Sequence, residues 1–167
     1  MKKFKIEFKW AVIMSIIFLA WMTLEKQLGL KNEKIKWQPL FNLLYIFPTF
    51  ILYFLALNEK KKVYYNGNMN WKQGIISSII ISFIIVIFSP ISQFILHEFI
   101  SPNFIENTIN QIVLSKKLSI IEAKEYTTLT SSIWKNISDS LSFGVVIGAI
   151  VAYILKPKTP VSTIKSN

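Results

Sequence analysis

The chain has 167 residues, 52% of them hydrophobic, and a formal net charge of +10 carried by lysine without a single arginine. Such a length allows one domain, and a mean hydropathy of +0.43 lies above that of soluble globular proteins. The lack of cysteine excludes disulfides, thiolate nucleophiles and thiolate metal sites; the lack of arginine removes the planar fork preferred for phosphate and base recognition, so no nucleic-acid partner is expected.

A helix needs about 20 residues to cross a hydrocarbon layer about 30 Å thick. Four apolar segments approach that length: Phe8–Leu24, Leu40–Leu57, Gly74–Leu96 and Ile137–Leu155. Each must be helical, because an open strand edge in lipid leaves its amides unpaired. The expected fold is all-α: a transmembrane four-helix bundle with an amphipathic helical hairpin in the long loop between spans 3 and 4. Residues 1–155 form a single integral membrane domain, followed by a disordered tail at 156–167.

Met1-Lys2-Lys3 before an apolar stretch has the look of a secretory signal, but Ala20-Trp21-Met22-Thr23-Leu24-Glu25 offers no small-x-small cleavage site. The first segment reads as a retained span, with Trp10 and Trp21 near its two interfaces. In the second, Pro39 suits a first helical turn and Pro48 is expected to kink the helix. The second loop carries a turn signal at Asn66-Gly67-Asn68, and Trp71 anchors the next span.

The third segment holds ten isoleucines between Ile75 and Leu96, each favouring insertion by roughly 0.3–0.6 kcal/mol near the bilayer centre. Pro90 is expected to bend or break its last third. Ser89, Pro90, Ser92 and Gln93 place polar groups beside that break. Their hydroxyls can bond back to the carbonyls that Pro90 frees; alternatively, Ser89, Pro90 and Gln93 mark a substrate site at a broken helix. His97-Glu98 follows. The second histidine of a zinc-protease helix is missing, so the pair reads as interfacial or, at most, as a proton relay.

In the long loop, Phe104, Ile105, Ile109, Ile112 and Val113 recur at helical spacing. Ser119-Ile120-Ile121-Glu122 is a capping box able to open a second helix that runs on into the last span. This hairpin is expected to lie on the membrane face; the alternative is a lid over the bundle. The last span carries Ser140, Gly144, Gly148 and Ala152 at every fourth position, a groove in which another backbone can sit closely. Gly74, Ser78 and Ser82 repeat the spacing on the third span. Packing of these two spans on one another is expected, with homodimerisation through the same face as the alternative. Asp139 is placed in the first turn of the last span, where it complements the helix N-terminus.

Eleven lysines lie in the N-terminal tail, second loop and C-terminal tail, against eight in the longer first and third loops. The excess puts both termini in the cytoplasm. No acidic or basic residue falls inside the segments as bounded above, other than Lys9 and Asp139 near span ends, and no phosphate loop, nucleophile elbow or metal cluster is present. Neither an enzyme nor a cofactor is expected.

The layout, the stretch Gly67-Asn68-Met69-Asn70-Trp71-Lys72-Gln73-Gly74 leading into the third span, and Glu122-Ala123 ahead of a glycine-bearing last span resemble a family of small four-span bacterial proteins. That family, of Bacteroidetes type, is grouped as a domain of unknown function. The resemblance implies an inner-membrane location and no catalytic residue. The function expected is a non-enzymatic accessory or structural component, in contact with lipid and with a second copy or a membrane-complex partner. The alternative is a small-molecule transporter or channel.

Overall fold

The computed structural model describes residues 4–30, 34–116 and 119–157. These residues fold into helices without a strand among them. Four helices are long and apolar enough to cross a membrane: Lys5–Gln27, Gln38–Val63, Trp71–Ile100 and Thr130–Leu155. Large apolar side chains such as Ile16, Phe47, Ile76, Phe83, Ile87 and Val146 point outward, each more than half exposed. Such an outward belt would be an aggregation surface in water and is the normal surface of a protein in lipid. The protein is a multi-pass membrane protein.

The first span is α1 (Lys5–Gln27). The second is broken into α2 (Gln38–Leu44) and α3 (Ile46–Val63) at Tyr45, which belongs to neither. Pro48 explains the break: its ring would collide with the carbonyl four residues back, that of Leu44. The Tyr45 carbonyl accepts from both the Thr49 amide at 3.2 Å and the Thr49 hydroxyl at 2.7 Å. The third span is α4 (Trp71–Ile95), opened by an Asn70–Gln73 capping box. Of the bend or break expected at Pro90, α4 shows no break. It winds on to Ile95 and then widens into a π turn over Leu96–Ile100.

Two short helices follow, α5 (Phe104–Lys116) and α6 (Ile120–Tyr126). The Ser119–Glu122 capping box forms, with the Ser119 amide 2.9 Å from the Glu122 carboxylate. The last span is α7 (Leu129–Leu155), opened by its own Thr128–Ser131 cap. So α6 does not run into the last span. The early start of α7 also moves Asp139 about 15 Å into the helix, where it pairs with Lys135 at 2.5 Å instead of serving the N-terminus. The expected disordered tail lies outside the described residues beyond Pro157.

Around the bundle the order is α1, α3, α7, α4. One end carries the start of α1, the end of α7 and the short α3–α4 turn, where Asn66 and Gly67 both adopt positive φ, 47° and 87°. The other end carries the long loop. The buried apolar cluster, including Ala11, Tyr53, Ala56, Leu57, Met69, Ile81 and Val151, lies toward the terminal end.

Candidate functional site

The terminal half is closed by backbone approach. A Cβ added to Gly74 would stand 2.5 Å from the Ala152 Cβ. One added to Gly148 would overlap Ser78, and one added to Gly144 would overlap Ser82 and the Tyr53 hydroxyl. The two small-residue ladders are thus interleaved within one chain, and the face offered for a second copy is occupied by α4. The Trp71 indole adds a bond to the Ala149 carbonyl at 3.0 Å, and the Tyr53 and Ser82 hydroxyls are hydrogen-bonded at 2.7 Å.

The same half holds an ion pair that lies outside the segment limits read from the sequence. Glu7 and Lys60 are 1% and 2% exposed and stand 2.7 Å apart. Ser77 donates to the same carboxylate at 3.0 Å. Three helices meet in that cluster, α1, α3 and α4. Spacing was the available signal: Glu7, Ala11 and Met14 share one helical face, as do Tyr53, Ala56, Leu57 and Lys60.

The loop half is built differently. Beyond Gly144 the α7 face continues as Ser140, Asn136 and Ser132, which are larger and polar, and the spans enclose a cleft of about 1010 Å³. Its floor is Met14, Leu52, Tyr53, Gly144 and Ile147. Its walls are Trp21 of α1, Gln38 and Asn42 of α2, Ser89, Ser92 and Gln93 of α4, and Ser131 to Ser140 of α7. The α5 helix turns Phe104, Ile105, Thr108 and Ile112 toward it, so this part of the long loop caps the bundle.

The sequence-predicted residues divide accordingly. Ser89 and Gln93 are buried in the cleft wall, and the Ser89 hydroxyl donates to the Asn136 side chain of α7 at 2.8 Å, across the helices, rather than back to a carbonyl. Pro90 faces outward. His97 is buried against Phe104, with ring centroids 6.1 Å apart, while Glu98 is exposed. Neither lines the cleft, and the two do not converge on one site. Among the described residues no group of three or more His, Asp or Glu could hold a metal.

One wall group is conspicuous. The Trp21 ring is stacked on Phe41 at 4.9 Å and tilted against Tyr45 at 5.3 Å. Its indole N–H is buried and has no hydrogen-bond partner among the described residues. Charge in the lining is confined to Lys135 and Asp139, which face each other.

The family model described as "Protein of unknown function (DUF4199)" matches residues 9–157. The chain belongs to that family. The match takes in all four spans but for the first four residues of α1 and brackets the cleft completely. No curated protein and no solved structure matches the chain.

Proposed function

We propose that this DUF4199 protein is a non-enzymatic component of a bacterial inner membrane that receives a ligand in a blind cleft and serves as an accessory subunit of a larger membrane assembly. The observation that carries the reading is the cleft's single-endedness. Polar groups converge in the loop half, while interleaved backbones and a buried ion pair close the terminal half. A blind pocket of convergent polar groups in an apolar wall is the usual form of a binding site. A conduit would need the far end to open, which means parting Glu7 from Lys60 and drawing α4 off α7. That weighs against a channel or transporter.

Both termini lie in the cytoplasm in this reading, supported by the lysine excess on their side. The long loop and its cap then face away from the cytoplasm. Purification from native membranes tests the proposal: a stoichiometric membrane partner is expected, and reconstituted vesicles are expected to pass no small solute. Flux through the protein alone, lost in Ser89→Ala or Gln93→Leu, would hand the case to the transporter. Tags on the two termini should report the same, cytoplasmic side.

A further inference from the structure

We infer that the seam between the start of α4 and the end of α7 seats one phospholipid with an anionic head. The seat is separate from the cleft and needs only that the chain span a membrane. Three observations lead there.

The first is how the seam is layered. Lys72, Ile76 and Ile79 share one face of α4, and Val146, Ile150 and Tyr153 one face of α7. All six are exposed. Gly74 and Gly148 bring the two helices together, since Ala152 and Ser78 stand where their side chains would be. Trp71 ties the seam by its bond to Ala149 and keeps its ring 44% exposed. From the middle of the bundle toward the terminal end, the surface thus runs from isoleucine and valine to Trp71 and Tyr153, and then to lysine. Chains, ester level and phosphate follow one another in a phospholipid in that order, with aromatic rings preferred at the middle level.

The second is where the cations stand. The Lys156 ammonium rests on the Tyr153 ring, 3.7 Å from its centroid. Lys72 projects from the position next to Trp71. Lys61 donates to the Leu155 carbonyl at 2.7 Å, which brings a third ammonium to the same end of α7 without neutralising it.

The third is where the anions are. No carboxylate occurs on α4, and the one on α7, Asp139, lies about 25 Å along the helix from Lys156. Among the described residues, the carboxylates of the terminal end are Glu7 and Glu59, which serve Lys60 and Lys9 on α3 and α1. Those two helices pack together across the bundle from the α4–α7 seam. The seam is therefore a cationic shelf above an apolar surface, with no counter-charge of its own. A lysine beside the headgroup layer favours an anionic lipid about fivefold. An acidic protein or a soluble phosphate would answer the lysines and leave the apolar part of the shelf bare.

Native mass spectrometry of the full chain, released from detergent with phosphatidylglycerol or phosphatidylcholine of matched chains, tests this. One phosphatidylglycerol per chain is expected, about thirtyfold tighter than phosphatidylcholine, the combined effect of Lys72 and Lys156. Lys72→Gln with Lys156→Gln should erase the preference and leave phosphatidylcholine binding and the unfolding temperature unchanged. Lys5→Gln with Lys62→Gln, the same change of charge on α1 and α3, should leave the preference in place. In the unaltered chain, raising ammonium acetate about tenfold should shrink the preference by screening. Equal loss in both double variants would mean a diffuse field and not a seat, and would overturn the inference. So would several equivalent adducts, a preference indifferent to salt, displacement by glycerol phosphate as effective as by the lipid, or a dimer that excludes the lipid, which would put a second copy on the seam.

Discussion

The two halves of this bundle use the same α7 face for opposite ends. In the terminal half, Gly144, Gly148 and Ala152 let α4 approach until no side chain fits between the backbones. One helical turn beyond Gly144, Ser140 stands on the same stripe and lines open space. The difference is one of residue size and polarity at a fixed spacing, not of secondary structure. In lipid, where apolar surface gains little by leaving the solvent, close packing and hydrogen bonds must supply cohesion. The half that has both is sealed; in the half where the stripe turns to serines and asparagine, the spans enclose a cleft.

Removing the ion pair is the severest way to break that contrast. Glu7→Ala leaves Lys60 buried without this carboxylate and is expected to cost about 3–5 kcal/mol in detergent unfolding, the range for one-sided loss of a buried pair. The double variant Glu7→Leu, Lys60→Met should recover most of it. No recovery would mean that the cluster does more than balance charge.

Next comes the stripe itself. Gly148→Leu collides with Ser78 and should cost about 3 kcal/mol, the upper end of overpacking penalties. Ser140→Leu, two turns away on the same face, should cost less than about 1 kcal/mol, because it projects into the cleft. Equal losses would show that the cleft is closed in the working protein.

A smaller effect is expected where the wall ties two spans. Ser89→Ala removes the bond to Asn136 and should cost about 0.6 kcal/mol, the average for hydrogen bonds between membrane helices. A loss above about 2 kcal/mol would place Ser89 among the structural contacts of the other half.

The smallest effect concerns the caps. The Ser119 hydroxyl and then its amide, both bonded to the Glu122 carboxylate, hold that carboxyl below its usual range. A lowered value in the folded state means that the contribution is present at neutral pH and is lost as pH falls through that lowered value. The protection of the Glu122 and Ala123 amides, taken against intrinsic exchange at each pH, should therefore fall in acid. The Asn70–Gln73 cap, which carries no titrating group, should not follow. Parallel loss of protection at both would point to general loosening instead.

The four spans were legible because length and hydropathy leave a membrane helix few alternatives. Their ends were less so. Asn70 and Thr128 open helices earlier than apolarity begins, and limits drawn at Phe8 and Leu57 leave Glu7 and Lys60 outside the spans. The ladder pairing Gly74 with Ala152 and Gly148 with Ser78 could be read from spacing alone, since only small residues permit such contact. The cleft could not. It is a failure of packing among five helices, and no single residue announces it, although Ser131, Ser132, Lys135, Asn136, Asp139 and Ser140 trace a polar face on α7. By its place near a span end Trp21 reads as an interfacial anchor; its neighbours Phe41 and Tyr45 show that its ring packs against the second span.

The wide turn at Leu96–Ile100 has a consequence for the cap. A π turn acts as one residue inserted into ordinary winding. Rewinding the same residues as ordinary α-helix, with none deleted, would make the following chain emerge rotated by about 100°. Phe104, Ile105 and Ile112 would swing away from the space they now roof, so the aim of the roof is written in a count of one.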